Sequence, residues 1–102
     1  MENKIKVGDI FAGTWGYSMT IPAFFIVTRV TAKRVKVREL EKHMAGMQGY
    51  ERPFEPYRVD ESEKERICTV TGDGCLRVPQ GYSSHIWAYP WDGRSIWADY
   101  MD

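Results

Sequence analysis

The residues of this chain with the most chemical potential are two cysteines, Cys68 and Cys75, and two histidines, His43 and His85. A thiol becomes a working nucleophile when a base takes its proton, and a bound metal needs three or four ligands at short spacing. Neither histidine has a Cys, Ser or Asp partner at a recognisable motif spacing, and no second Cys or His pair completes a metal set. The run Asp60-Glu61-Ser62-Glu63-Lys64-Glu65 offers alternate carboxylates, but Lys64 and the following Arg66 suit a solvated loop better than a cation cage. Gly72-Asp73-Gly74 lacks the spacing of a calcium or phosphate loop and reads as a turn. Cys68 and Cys75 flank that turn in positions that would set them diagonal or further apart, so free thiols are expected. A ribonuclease built on a compact barrel would need a base such as His85 to converge with a phosphate-binding arginine, and the spacing supplies no such convergence. The expectation is a non-enzymatic protein with no catalytic residues, no metal and no cofactor.

Binding chemistry is better represented. Four tryptophans are many for 102 residues, and each must fill the core or sit where its indole has a use. Trp87 and Trp97 are expected to close the ends of the core. Trp15 and Trp91 lie beside glycine in turn-like segments, and with Tyr17 and Arg94 they are the expected anchors for a partner, because Trp, Tyr and Arg dominate interface energetics. A second candidate is the basic stripe of Arg29, Lys33, Arg34, Lys36 and Arg38, which would bind phosphates while an aromatic stacks on a base. The same stripe would also serve against an acidic protein patch.

These side chains need strands to position them. From Phe24 the chain reads as β-branched and aromatic residues to Thr31, then Ala-Lys, then Arg34 to Leu40, which is a hairpin. Alternation puts Phe25, Val27, Val35 and Val37 in the core and Arg34, Lys36 and Arg38 on the opposite face. A first strand is expected over Ile5 to Phe11, interrupted by a bend or bulge at Gly8-Asp9, and an ordered loop over Ala12 to Ala23. One helical turn fits Glu41 to Gly49. The proline-containing acidic segment near 50–66 reads as a mobile loop. A second hairpin follows over Arg66 to Thr71 and Cys75 to Val78, then a strand over Ser84 to Tyr89 and a turn at Asp92-Gly93. Five or six short strands in one domain predict an all-β fold, a small antiparallel SH3-like barrel in which long loops and strand ends bind; a cold-shock or oligonucleotide-binding barrel is the alternative.

The chain balances 14 Lys and Arg against 14 Asp and Glu, which excludes a polycation and a polyanionic mimic of nucleic acid. Residues 1–48 nevertheless carry eight bases and four acids, and residues 49–102 carry six bases and ten acids. No apolar run approaches the roughly 20 residues of a membrane helix, and the N-terminus lacks the apolar core of a signal peptide, so a cytoplasmic protein without a membrane partner is expected. Uncovered edge strands would allow a homodimer as readily as a monomer.

The pattern Val7-Gly8-Asp9-Ile10-Phe11, Trp15-Gly16-Tyr17, Val35-Lys36-Val37-Arg38 and, near the end, Trp91-Asp92-Gly93-Arg94 resembles a family of small uncharacterised proteins of bacteriophages and other mobile elements. The resemblance touches both ends and skips the acidic middle. Where the commoner form has Asp-Gln-Thr-Asn after Trp-Gly-Tyr, this chain has Ser18-Met19-Thr20-Ile21. It implies an accessory protein in the host cytoplasm that binds a host protein or nucleoprotein complex, with inhibition of a CRISPR or other defence system as the leading expectation. A small nucleic-acid-binding module is the alternative.

Overall fold

A computed structural model describes residues 5–16, 19–44, 49–80 and 84–100. Nine strands follow in chain order: β1 (Ile10–Trp15), β2 (Ile21–Val30), β3 (Arg34–Glu39), β4 (Lys42–Met44), β5 (Tyr50–Pro53), β6 (Arg66–Val70), β7 (Leu76–Gln80), β8 (Ser84–Pro90) and β9 (Ile96–Trp97). Strands β1-β2-β3-β6-β7-β8 close an antiparallel barrel, and β4-β5-β9 form a separate three-stranded sheet. The fold is therefore all-β, a small barrel of the SH3-like kind.

Alternation fills the barrel. Phe11, Phe25, Val27, Val35, Val37, Cys68, Leu76, Val78, Ile86 and Ala88 form one buried cluster inside it. The four positions expected in the core, Phe25, Val27, Val35 and Val37, are all there. The last seam, β8 onto β1, depends on Gly13: a Cβ there would stand 2.5 Å from the Trp87 carbonyl oxygen and 2.9 Å from Ile86 Cγ2. Any other residue would push the two strands apart.

A second cluster lies outside the barrel, where Ala12, Phe24 and Leu40 pack with Ile10, Ile26, Val59, Trp91 and Ile96. Its existence explains β2, whose residues from Ile21 to Phe25 are buried without a break. Phe25 points into the barrel and Phe24 points out, under β9 and the Val59 bridge to Leu40.

Several boundaries differ from the sequence expectation. The first strand begins at Ile10 instead of Ile5, because Val7-Gly8 is a tight turn: Gly8 has φ 98°, and Asp9 bonds back to Lys6 through both its N–H and its carboxylate. The expected bend at Gly8-Asp9 is present, and it is tied to a β-bulge between Val27 and Arg29. Gly8 donates to the Val27 carbonyl at 2.9 Å, and Val27 donates to that of Asp9 at 2.9 Å. The expected loop over Ala12 to Ala23 is shorter, since β1 runs to Trp15 and β2 starts at Ile21. Where a helical turn was expected over Glu41 to Gly49, Lys42–Met44 is strand β4, paired with Glu51–Pro53; residues 45–48 lie outside the described part. The Arg66 and Cys75 hairpin, the Ser84 strand and the turn at Asp92-Gly93 stand as expected.

If β2 is buried on both sides, Phe24→Ala and Phe25→Ala will each cost about 3–5 kcal/mol in urea denaturation, although the two residues are adjacent. A strand with one solvated face would give one large loss and one small one.

Candidate functional site

The second sheet covers the outside of β1 and β2 and leaves the outside of β3, β6, β7 and β8 bare. Pairing lines up one residue from each of these four strands: Arg34 opposite Thr69, Thr69 opposite Arg77, and Arg77 opposite Trp87. Three interstrand steps make this row about 14 Å long. The Arg77 guanidinium lies 5.9 Å from the centre of the Trp87 ring. A neighbouring row holds Arg29, Lys36 and Ile67, and His85 lies outward on β8 two residues before Trp87. Ile67 and Trp87 are 54% and 51% exposed, so this face presents apolar surface among cations.

The charges divide the same way. Arg38, Lys42, Arg52, Arg58, Arg66 and Arg94 all pair with carboxylates. Among the described residues, Arg29, Lys33, Arg34, Lys36 and Arg77 make no such pair; the Arg34 guanidinium donates only to the Lys33 carbonyl, at 3.2 Å. Four members of the sequence-predicted stripe thus stay free for a ligand, and Arg38 does not. It donates to the Glu63 carbonyl at 3.0 Å and stands 3.6 Å from Glu61.

The acidic segment supplies these contacts. Glu65 accepts from the Thr28 hydroxyl at 2.6 Å, Glu63 from Arg66 at 2.5 Å, and Asp60 donates its N–H to the Glu39 carbonyl at 2.8 Å. Arg66 also pairs with Glu39 at 3.1 Å and lies over the Phe25 ring at 5.6 Å. Burial holds the Glu39 carboxyl above its ordinary range, and Arg66 opposes that rise. The Asp60 carboxylate accepts from both the N–H and the hydroxyl of Ser62, which hold its pKa down.

The aromatic residues sit differently from expectation. Trp87 and Trp97, expected to close the core, are 51% and 52% exposed, because alternation from buried Ile86 and Ala88 turns Trp87 outward and β9 is an edge strand against Tyr50. Trp91 is half-buried: its ring meets Phe24 edge-on at 5.5 Å, and its indole N–H donates to the Arg94 carbonyl at 2.8 Å. The structure therefore brings Trp91 and Arg94 together, with the Arg94 side chain exposed beside Asp92. Trp15 ends β1, five residues and about 17 Å along the strand from Ile10, whose carbonyl accepts the Trp91 N–H. Tyr17 lies outside the described residues. The sequence reading missed Arg77, although its place between Leu76 and Val78 marks it as outward-facing.

A cleft of about 1140 Å³ opens at the end of the barrel where β6 turns into β7, between that turn, the Gly8-Asp9 bend and the segment Pro90 to Gly93. A smaller one of about 360 Å³ lies on the other side of Trp91, bordered by Tyr89 and Arg94.

The groups with catalytic potential are kept apart. Both cysteines are free and buried, whereas His85 faces outward. His43 stacks on Phe54 at 4.5 Å. Among the described residues, no three His, Cys, Asp or Glu side chains gather as metal ligands, and no helix is long and apolar enough to cross a membrane. Burial pushes the Cys68 thiol up to about 12 and raises that of Cys75 as well. A disulfide reagent at pH 8 should therefore label Cys68 in the native protein on the order of 10³-fold more slowly than in urea, and Cys75 more slowly as well. Fast native labelling would show that the barrel opens at β6 and β7.

Comparison with protein families, characterised proteins and solved structures finds no match to this chain.

Proposed function

We propose that this protein is a non-catalytic binding module that takes a single strand of nucleic acid across the bare outer face of β3, β6, β7 and β8. The observation that carries this reading is the row Arg34, Thr69, Arg77 and Trp87, with Arg29, Lys33 and Lys36 beside it and no carboxylate paired to any of these cations among the described residues. Guanidinium and ammonium groups neutralise phosphates, a hydroxyl adds a neutral donor, and an exposed indole stacks on a base of any identity. Overall neutrality does not oppose this, because at physiological salt only charges within about 8 Å act strongly on one another.

The mobile-element setting implied by the sequence resemblance gives such a module a task. In this reading it acts stoichiometrically in the host cytoplasm as an accessory factor, and the strand it holds belongs to a host nucleoprotein complex such as a CRISPR effector. A reading centred on Trp15, Tyr17, Trp91 and Arg94 has less support, since Trp91 is engaged with Phe24 and Trp15 stands at the far end of β1.

Fluorescence anisotropy with a labelled oligodeoxythymidine of about a dozen nucleotides tests the proposal. Three to five phosphate contacts predict a slope of log K against log salt of roughly −2 to −3.5. Trp87→Ala should weaken binding by about 1–3 kcal/mol, and Arg34→Ala with Arg77→Ala should flatten the salt slope, both without loss of fold because the side chains are exposed. Arg38→Ala should act less, since Arg38 is already held by Glu61 and Glu63. Binding absent at low salt, or indifferent to Trp87 and Arg77, would overturn the assignment.

A further inference from the structure

The cleft at the β6–β7 end carries a chemistry opposite to that of the basic face. Its floor is apolar, made by Ile10, Phe11 and Val70, and Tyr57 and Trp91 add two aromatic rings. Its charged lining residues are Asp9 and Asp73; no lysine or arginine lines it. Both carboxylates are fixed in place. Asp9 Oδ2 accepts the Lys6 N–H at 2.9 Å, and Asp73 Oδ1 accepts the Thr71 hydroxyl and, at 3.3 Å, the Cys75 N–H. The second oxygen of each takes no hydrogen bond among the described contacts. The Thr71 hydroxyl holds the Asp73 carboxyl below its ordinary range, so the rim stays negative at physiological pH.

Four glycines complete the rim. Gly8, Gly72, Gly74 and Gly93 line the cleft, and a Cβ built on any of them would meet nothing within 4 Å. Gly8, Gly74 and Gly93 answer to left-handed φ angles of 98°, 83° and 90°, whereas Gly72 has no such constraint, and at all four the notional Cβ points into open space. The rim thus carries no side chain at these four positions, and no described residue fills the mouth between them, which lets another backbone come close.

We propose that this cleft is a docking site for an extended segment of a partner protein, which inserts an arginine flanked by apolar residues beside Asp9 and Asp73. A guanidinium matches the lining: it bonds carboxylates with paired N–H donors, lies over an aromatic ring such as that of Tyr57, as Arg52 already does over Trp91 at 5.5 Å, and sheds water more readily than an ammonium. The flanking apolar side chains cover Ile10, Phe11 and Val70. The volume of about 1140 Å³ lies just above the usual range for small-molecule pockets, which suits a few residues of chain better than one small metabolite. This site is separate from the basic face and does not depend on the nucleic-acid reading.

The probe is the peptide acetyl-Leu-Arg-Leu-amide, with its Gln and Lys counterparts at the central position, titrated into the isotopically labelled full chain and followed by two-dimensional amide NMR. The expected result is shifts confined to Gly8, Gly72, Gly74, Gly93 and the Trp91 indole, with arginine bound about tenfold more tightly than glutamine and more tightly than lysine. Asp9→Asn with Asp73→Asn should cost about tenfold, because asparagine still accepts the turn hydrogen bonds and lacks only the charge. Gly72→Leu should block the mouth while leaving the remaining spectrum in place, since its φ is not left-handed and its surroundings are open. Arg34→Ala with Arg77→Ala should leave the peptide titration unchanged, which separates failure of this site from failure of the basic face. Equal binding of the glutamine peptide, shifts on β3, β6, β7 and β8 instead, unaltered binding after loss of both aspartates, or no shifts at millimolar peptide would each overturn the proposal.

Discussion

Because β2 carries Phe25 and Val27 on one side and Pro22 and Phe24 on the other, all nearly inaccessible to water, it can exist only where two layers meet. Each buried phenylalanine removes about 2–3 kcal/mol worth of apolar surface from water, a large share of the net stability of a domain this size. The barrel supplies the first layer. The second must come from outside it, and β4, β5, β9, Leu40 and Val59 are recruited to provide it. Covering β2 exhausts this extra material, so the opposite side of the barrel is left as bare sheet. The location of the open face is thus a consequence of where the longest strand needs cover.

The covered and bare sides differ in charge as well as in packing. Lys42 pairs with Glu51, Arg52 with Glu55 and Arg58 with Glu41 around the second sheet, while the acidic segment answers Arg38 and Arg66 at the end of the barrel where β6 begins. Among the described residues, the bases on the bare side have no such answer. A net charge of zero therefore conceals a positive sheet face, a neutralised flank and a negative cleft. Exposed ion pairs contribute little to stability individually, so their arrangement bears mainly on which surfaces stay free for ligands.

How much of this was legible in the sequence follows from how local each cause is. The hairpin of Phe24 to Leu40 and the alternation of Val35 and Val37 are local properties, and both the all-β class and the barrel core follow from them. The outward placement of Arg34 and Lys36 follows by the same rule. Phe24 was not legible, because period-two reasoning assigns a solvent side to every strand and cannot see a second layer built from residues 40–97. Trp87 was misjudged for a related reason. Its size argued for the core, whereas its position between Ile86 and Ala88 turns it outward, and position decides. Arg38 is equivalent to Arg34 by alternation, but the acidic segment, some 25 residues away in sequence, lies against it. Cleft and basic row alike depend on cross-strand register, which no single segment encodes.

The same register joins the two candidate sites. Thr69 and Arg77 face outward on the strands of one hairpin, and Gly72-Asp73-Gly74 at its tip forms one wall of the cleft. That tip is rigidly tied: Thr71 donates its N–H to the Cys75 carbonyl at 2.9 Å, and Gly74 donates to that of Thr71 at 3.1 Å. Cys68 and Leu76 anchor the strands beneath it in the barrel core. A hairpin fixed at both levels holds a cationic face and an anionic rim on one short piece of chain without letting either collapse onto the other. Screening over a Debye length of about 8 Å then lets each attract its own ligand. If both proposed sites are occupied, a neutral domain of 102 residues would bring two unlike partners, a polyanion and a cationic peptide, to adjacent surfaces of a single scaffold.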